Sequence, residues 1–283
     1  MFTLYTSTAS QWAYVAHLAL TEKGYEPQEY TEKQVDLVNG ENFAPDYVKI
    51  NPNGTVPSLT SDTLAEPLIE SGDILEYLDA GHPERPSLFP ESPEQRRKVQ
   101  ELIAHVHQDQ LSTNLILLDA RNVPELEEKK ASGWNGFIGN RREKLVKYSA
   151  SHPEVPLYAP RIASNGRLYD IYNGKETGSD REDWFAESLQ GYKDFAAGLD
   201  ELDSILSLPY AAGDRVTAAD LHIVPWLAHA LWDAGGAQVD DFNPLQTLIR
   251  KSVPEFAFGS KTKEWWKNIS ATETFKKNYP SLH

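Results

Sequence analysis

The stretch from Asn51 to Leu59, together with a short segment that begins at Glu70, constrains the fold of this chain more than any other feature. It reads Asn-Pro-Asn-Gly-Thr-Val-Pro-Ser-Leu, and its Asn-Pro and Asn-Gly pairs predict a tight turn before a strand. Pro57 has no N–H, so it is expected at the start of that strand, at a position that donates no hydrogen bond to a neighbouring strand. Glu70 and Ser71 precede a helical pattern, so the Ser71 hydroxyl and the first free N–H groups of the helix suit an anionic carboxylate.

These two segments, in this order and at this spacing, resemble the glutathione site of the cytosolic glutathione S-transferase superfamily, in its serine-type fungal, zeta-like or etherase-like branches. In that family the proline at the position of Pro57 is cis, and the main chain of the preceding residue, here Val56, pairs with the cysteine of glutathione. The resemblance assigns Glu70 and Ser71 to the amine and carboxylate of the γ-glutamyl group. An ordinary turn, a strand that begins with proline and a capped helix would also account for these residues.

The order of elements predicts an α+β fold in which a thioredoxin-like domain is followed by a helical one. The predicted N-terminal elements are a strand at 2–6, a helix that ends at Lys23, a strand within 25–37, a hairpin of 56–60 and 67–69, and a helix from Ser71 to Asp79. This βαβ-ββα order is the one that the family uses for its glutathione-binding domain, here residues 1–82. A proline-rich linker is predicted at 83–93.

Beyond the linker, residues 94–283 predict an all-α helical bundle. An apolar stripe over 94–121 is long enough for one bundle helix, and further helices are predicted at 138–150 and 182–207. The segment at 151–181 is rich in Pro, Gly, Asn and Tyr and is longer than an ordinary bundle connection. Compared with shorter transferases it resembles an insertion, either a loop over the substrate side or a plain surface excursion.

A second diagnostic segment lies near the C-terminus, where Thr217 is followed three residues later by Asp220. This spacing predicts a capping box, and Val216 and Leu221 fall at the two positions of a hydrophobic staple. The segment also resembles the helix start in the family's C-terminal domain, where it serves folding. We therefore assign it no catalytic role.

Activation of a glutathione thiol requires a group that favours the thiolate, because the thiolate is the nucleophile. Ser10 is the expected catalytic residue, since a hydroxyl near a helix N-terminus stabilises an adjacent anion. Ser10 could instead cap the helix while Thr8 or Ser7 faces the sulfur. The sequence Ser-Gln-Trp-Ala from Ser10 departs from the common family pattern, which often has proline second, and this leaves the catalytic class open.

Further ligand contacts follow from the resemblance. Asn53 and Lys49 are expected near the glycine end of glutathione, although both could be solvated turn residues. The expected lining of an apolar substrate pocket consists of Trp12, Tyr14, His105 and Asn114. His105 and His107 face different ways on one helix, which predicts no metal site, and a surface pair of His105 with Asp109 is the simpler expectation.

Composition limits the classes of function. The chain has 283 residues, no cysteine and a formal net charge of −15. The absence of cysteine excludes a protein mixed disulfide, and the negative charge predicts no nucleic-acid partner and no anionic membrane surface. No signal-like or spanning segment is visible, so a cytoplasmic location is expected.

The leading hypothesis is a glutathione transferase that conjugates reduced glutathione to a small hydrophobic electrophile, with Ser10 stabilising the thiolate. The family is generally homodimeric, so a homodimer is expected. A glutathione-dependent isomerase or etherase is the second possibility. The third is a non-catalytic ligand-binding protein on the same fold.

Overall fold

The computed structural model describes residues 1–282. Its strands are β1 (Phe2–Thr6), β2 (Tyr30–Gln34) and β3 (Ser58–Ser61). Its α-helices are α1 (Gln11–Lys23), α2 (Pro45–Val48), α3 (Ser71–Gly81), α4 (Pro93–Val106), α5 (Asn114–Leu118), α6 (Val123–Ala131), α7 (Trp134–Ser151), α8 (Tyr158–Tyr172), α9 (Asp180–Ile205), α10 (Ala218–Asp233), α11 (Asn243–Arg250), α12 (Ser260–Ser270) and α13 (Glu273–Asn278). Two 3₁₀ turns lie at Glu41–Phe43 and Asp109–Leu111. The predicted α+β class, a small mixed sheet with many helices, is confirmed.

The chain forms two compact units. The first comprises Met1–Ser10, Gln28–Glu70 and Leu117–Leu189. The second comprises Gln11–Pro27, Ser71–Ile116 and the chain from Gln190 onward.

The first unit contains a three-stranded sheet in the order β2-β1-β3. β1 pairs in parallel with β2, from Phe2 opposite Tyr30 to Thr6 opposite Gln34, and antiparallel with β3, with Leu4 opposite Leu59. β2 lies at an edge of the sheet and is largely exposed. The predicted fourth strand at 67–69 is wrong: among the described residues a single bridge joins Leu59 to Leu68. The next hydrogen-bonded pair of such a ladder would include Pro57, which has no N–H to donate.

The segment at 151–181, which was predicted to be an insertion, contains a helix. The loop predicted between residues 151 and 181 contains α8, which packs against α7. A loop was predicted because proline and glycine are rare within helices, but both residues are accommodated here. Pro160 occupies the first turn of α8, where its missing N–H has no helical partner to lose. Gly166 is buried, with the Arg142 guanidinium 2.8 Å from where a Cβ would stand.

The second unit has α10 at its centre. α10 is buried along most of its length and packs against α1 and α4, while α1 also packs against α3. The capping box of Thr217 and Asp220 is confirmed, and the buried Asp220 carboxylate also accepts a hydrogen bond from the Trp265 indole at 2.8 Å.

The single helix predicted over 94–121 is wrong, because α4 ends at Val106 and a 3₁₀ turn precedes α5. Tertiary hydrogen bonds satisfy the main chain where the helix is interrupted. The Leu111 carbonyl accepts from the indole of Trp226 at 2.7 Å. An apolar stripe cannot reveal such a partner.

Candidate functional site

A buried asparagine organises the loop before Pro57. Asn51 is fully buried, and its amide nitrogen lies 2.8 Å from the Thr55 carbonyl oxygen, 3.1 Å from the Thr55 hydroxyl and 3.0 Å from the Ser58 hydroxyl. Its side-chain oxygen accepts from the Asn53 N–H at 2.9 Å. The side chain therefore ties the start of the loop to its end. Sequence reasoning used Asn51 only as a turn residue; burial of a turn asparagine is not visible in one sequence.

Two further side chains from the preceding segment hold the same loop. The Tyr47 hydroxyl donates to the Thr55 carbonyl at 2.6 Å and shares a hydrogen bond with Ser58 at 3.0 Å. Burial raises the pKa of Tyr47 to about 12, so it remains a neutral phenol. Asn42 donates to the Gly54 carbonyl at 2.6 Å. Gly54 has φ of +60°, a conformation in which glycine is favoured.

Val56 and Ser10 are brought together at the end of this loop. The Val56–Pro57 peptide bond is cis, as the family resemblance implied. The Ser10 hydroxyl lies 3.5 Å from the Val56 carbonyl oxygen. The Val56 N–H has no acceptor among residues 1–282, although Val56 is only 6% exposed. Buried main-chain donors are rarely left unpaired, so this N–H is suited to a ligand acceptor.

The alternative hydroxyls lie in different environments. Ser7 is buried, and its carbonyl accepts from the Ser10 N–H at 3.2 Å. Thr8 is exposed. Of the three hydroxyls proposed for the thiol, Ser10 is the one with a contact to Val56.

Lys49 and Asn53 lie at the other end of the loop. Lys49 is exposed and pairs with Asp46 at 2.8 Å. The Asn53 carbonyl accepts from the Arg161 guanidinium at 3.4 Å, and its side chain is exposed. Both residues border a cavity of about 620 Å³ whose other lining residues are Pro45, Val48, Pro52, His152, Glu154, Val155, Pro156 and Leu157.

The predicted γ-glutamyl residues lie at a helix start. Glu70 is exposed, and Ser71 is buried as the first residue of α3, as predicted. An eleven-residue helix presents unpaired N–H groups at this end. The assignment of Glu70 and Ser71 to the γ-glutamyl group stays a prediction.

The predicted pocket residues have separate surroundings in the second unit. Trp12 stacks on His107 with ring centroids 3.8 Å apart, and Tyr14 contacts the ring of Tyr279 at 5.2 Å. Asn114 is exposed at the start of α5. Their joint role as a pocket stays a prediction.

His105 departs from its predicted surroundings. The expected surface pair with Asp109 is wrong, because His105 is buried and its Nε2 bonds to the Gly198 carbonyl at 2.8 Å. The helical spacing of four residues indicated Asp109, but the hydrogen-bond partner of Nε2 is the Gly198 carbonyl on α9.

Sequence reasoning also missed a histidine pair. His107 Nε2 and His222 Nδ1 lie 2.9 Å apart, and burial, with the nearby His107, lowers the pKa of His222 to about 3. His222 is therefore neutral at physiological pH. Within residues 1–282 no cluster of three or more His, Asp or Glu side chains has a metal-binding arrangement.

In the part of the chain that the structure describes, no helix is both long and apolar enough to cross a membrane.

Comparisons with known proteins find similarity to glutathione S-transferases. Residues 4–86 match the family described as glutathione S-transferase, N-terminal domain. A maleylacetoacetate isomerase from Pseudomonas aeruginosa is 37% identical over 100 residues, which are 35% of this chain and 43% of that protein. A zeta-class glutathione S-transferase from Euphorbia esula is 36% identical over 85 residues, 30% of this chain and 36% of that protein. The chain thus spans less than half the length of these curated relatives.

A solved structure extends the likeness of fold to the whole chain. The β-etherase LigF from Sphingobium sp. strain SYK-6 superposes with a TM-score of 0.62 and 18% sequence identity, over 99% of this chain and 98% of that one. The fold of the whole chain, the domain match and the curated relatives agree with the resemblance found in the sequence. Residues 4–86 therefore match the glutathione S-transferase N-terminal domain, and the whole chain is similar in fold to the β-etherase LigF.

Proposed function

We propose that the protein is a glutathione-dependent enzyme that conjugates reduced glutathione to a small hydrophobic electrophile. The observation that carries this proposal is the juxtaposition of the Ser10 hydroxyl and the Val56 main chain, 3.5 Å apart. Both residues belong to the region that matches the glutathione S-transferase N-terminal domain. No cysteine is available as an alternative nucleophile.

The unpaired Val56 N–H and the Val56 carbonyl offer one donor and one acceptor to the main chain of a peptide ligand. Pairing of the glutathione cysteine with these groups would bring its thiol close to Ser10. The Ser10 hydroxyl then donates to the sulfur and favours the thiolate over the thiol. Ser10 immediately precedes α1, whose N-terminal field also favours a negative charge.

The reaction follows from that thiolate. The sulfur lone pair forms a C–S bond to the electrophilic carbon, and either a leaving group departs or a proton is taken up at the adjacent atom. Lowering the thiol pKa toward neutral pH increases the thiolate fraction without requiring a general base. The role of Ser10 is therefore stabilisation of the anion.

The γ-glutamyl end is assigned to Glu70 and Ser71. The Ser71 hydroxyl and the first N–H groups of α3 would bind the carboxylate, and the Glu70 carboxylate would pair with the amine. Lys49 and Asn53 are proposed at the glycine end, and Trp12, Tyr14, His105 and Asn114 for the electrophile. A homodimer and a cytoplasmic location are proposed as general features of the family.

Isomerisation is the second candidate, because the relative from Pseudomonas aeruginosa is a maleylacetoacetate isomerase. The same thiolate would add to an activated double bond, rotation about the resulting single bond would follow, and elimination would restore glutathione. Ether cleavage is a variant, since a β-etherase shares the fold. A binding protein without activity would bind ligands but leave the thiol pKa unchanged.

Calorimetric titration of reduced glutathione, combined with the pH dependence of thiolate absorbance in the complex, tests the proposal. We expect wild-type protein to bind and to lower the thiol pKa, Ser71→Ala to lose affinity, and Ser10→Ala to bind but leave the thiol pKa near its free value. No binding at millimolar glutathione would refute the enzyme assignment. Binding with an unchanged thiol pKa would instead support a ligand-binding protein.

A further inference from the structure

Arg141 on α7 has an unusual environment for a half-buried cation. Its guanidinium carbon lies 4.6 Å from the centroid of the Phe43 ring and 5.0 Å from that of Phe137. Among residues 1–282 no carboxylate or carbonyl group lies within hydrogen-bonding or ion-pairing distance of this guanidinium. Elsewhere in the same unit, Arg121 pairs with Glu125 at 2.6 Å. Charged side chains that leave water are normally paired, so Arg141 lacks an expected anion.

A second arginine adds to this positive charge. Burial, together with the nearby positive charge of Arg161, lowers the pKa of Arg141 to about 10. Arg161, on α8, donates only to the Asn53 carbonyl, at 3.4 Å, and has no ion pair within the described residues. Two neighbouring guanidinium groups without a counter-ion repel each other, and a bound anion would relieve this repulsion.

The two arginines are placed at the loop that carries Val56. Phe43, beneath the Arg141 guanidinium, lies 3.3 Å from where a Cβ on Gly54 would stand. Arg161 contacts Asn53 directly. Lys49, the cation that the sequence assigned to this end, is already paired with Asp46 and is 74% exposed. Arg141 and Arg161 are therefore the uncompensated cations beside residues 53 and 54.

We propose that Arg141 and Arg161 form a carboxylate-binding site beside the loop at 53–54. A guanidinium is planar and donates two parallel hydrogen bonds to a carboxylate, which favours this ligand class over a point-like anion. Two sources supply such a group: the glycine carboxylate of glutathione, or a carboxylate on the second substrate. The first source rests on the proposed function, whereas the anion site itself does not.

The test compares variants at three arginines. Arg141→Met and Arg161→Met remove one guanidinium each while keeping an apolar stem. Arg142→Met is the matched control, because Arg142 is the next residue on α7 and also lies over an aromatic ring, that of Tyr169, at 5.0 Å. Circular dichroism and thermal unfolding verify that each variant is folded. Because Arg161 is exposed, Arg161→Met is expected to fold and still tests the site if Arg141→Met does not fold.

The first arm titrates reduced glutathione and its glycine monoethyl ester into each protein by calorimetry. If the glycine carboxylate is the ligand, wild-type protein binds the acid about 10-fold or more tightly than the ester, the size expected for a charge-assisted bidentate pair. That ratio falls toward one in Arg141→Met and Arg161→Met and is kept in Arg142→Met.

The second arm titrates succinate and benzoate, with and without glutathione. If the carboxylate belongs to the second substrate, the acid-to-ester ratio is near one in every protein, and wild type binds at least one of the two probes. Arg141→Met and Arg161→Met lose that binding, and Arg142→Met retains it.

The inference is overturned if neither the acid-to-ester ratio nor probe binding differs between Arg141→Met, Arg161→Met and wild type. Failure of the proposed function looks different: wild type then binds neither glutathione nor its ester. In that case the succinate and benzoate titrations without glutathione still decide whether the two arginines bind a carboxylate.

Discussion

Replacing Asn51 by alanine tests whether its buried side chain holds the loop that presents Val56. The amide nitrogen has two hydrogens for three nearby acceptors, so it makes about two full hydrogen bonds, and the side-chain oxygen accepts a third from Asn53. Alanine removes all three. The Thr55 carbonyl and the Ser58 hydroxyl keep Tyr47 as a partner, which limits the loss.

The expected magnitude follows from these bonds. Each net hydrogen bond contributes about 1 kcal/mol to the free energy of unfolding, and a small cavity adds to the cost. We expect Asn51→Ala to lower this free energy by about 2–4 kcal/mol. Because the free loop would populate other conformations, the affinity for glutathione should fall by about 10-fold or more.

Urea unfolding followed by circular dichroism measures the stability, and calorimetry measures the affinity. Asn53→Ala is the matched control: its side chain is exposed in the same turn, so a change within about 0.5 kcal/mol is expected. If Asn51→Ala and Asn53→Ala unfold at the same urea concentration, and Asn51→Ala binds glutathione as tightly as wild type, the Asn51 network does not organise the site.

Three other substitutions address the chemistry and the stability of the protein. Ser10→Ala should lower kcat/KM by about 100-fold with little change in glutathione affinity, as for loss of one oxyanion donor; an unchanged rate in a conjugation assay would exclude its role. Asp79→Asn should cost about 3–5 kcal/mol because it leaves Lys23 buried without its partner at 2.8 Å. Burial raises the pKa of Asp79, but hydrogen bonds from Lys23 and its neighbours lower it more, so the net shift is downward. The charged pair therefore stabilises the folded protein fully at neutral pH and loses this contribution below about pH 4. Urea unfolding of wild type and Asp79→Asn should show a smaller difference in the free energy of unfolding at pH 3 than at pH 7. Gly54→Ala should destabilise by about 1–3 kcal/mol because of its positive φ, whereas Gly136→Ala, on an open face of α7, should be neutral or stabilising in the same thermal unfolding assay.

The features that the sequence predicted correctly depend on neighbours within a few residues. Ser71 begins a helix, and Thr217 caps one with Asp220 three positions on. The Val56–Pro57 bond is cis, as the family resemblance implied. Capping is an interaction between side chains and the nearest free main-chain groups, so it is visible in a short window of sequence.

The features that the sequence missed depend on distant partners. His105 bonds to a carbonyl 93 residues away, which no helical spacing could indicate. The break after Val106 is satisfied by the indole of Trp226, 115 residues beyond Leu111. α8 was not predicted because it contains a proline and a glycine, Pro160 and Gly166, which local propensity disfavours in a helix. Helix propensity alone does not predict where a helix forms or ends when tertiary contacts outweigh it.

The contacts of α8 join the segment at 151–181 to the loop before Val56. The Tyr158 hydroxyl donates to the Phe43 carbonyl at 3.0 Å, and Phe43, Leu145 and Tyr158 form one buried cluster. Arg161, one turn along, reaches the Asn53 carbonyl. A segment that only covers the surface would contact the sheet and its loops through few side chains, and its removal would leave the loop before Val56 unchanged. Here α8 donates hydrogen bonds to the carbonyls of Phe43 and Asn53, both of which precede Gly54 in the sequence, so we expect the segment at 151–181 to support the loop that presents the candidate ligand-binding main chain.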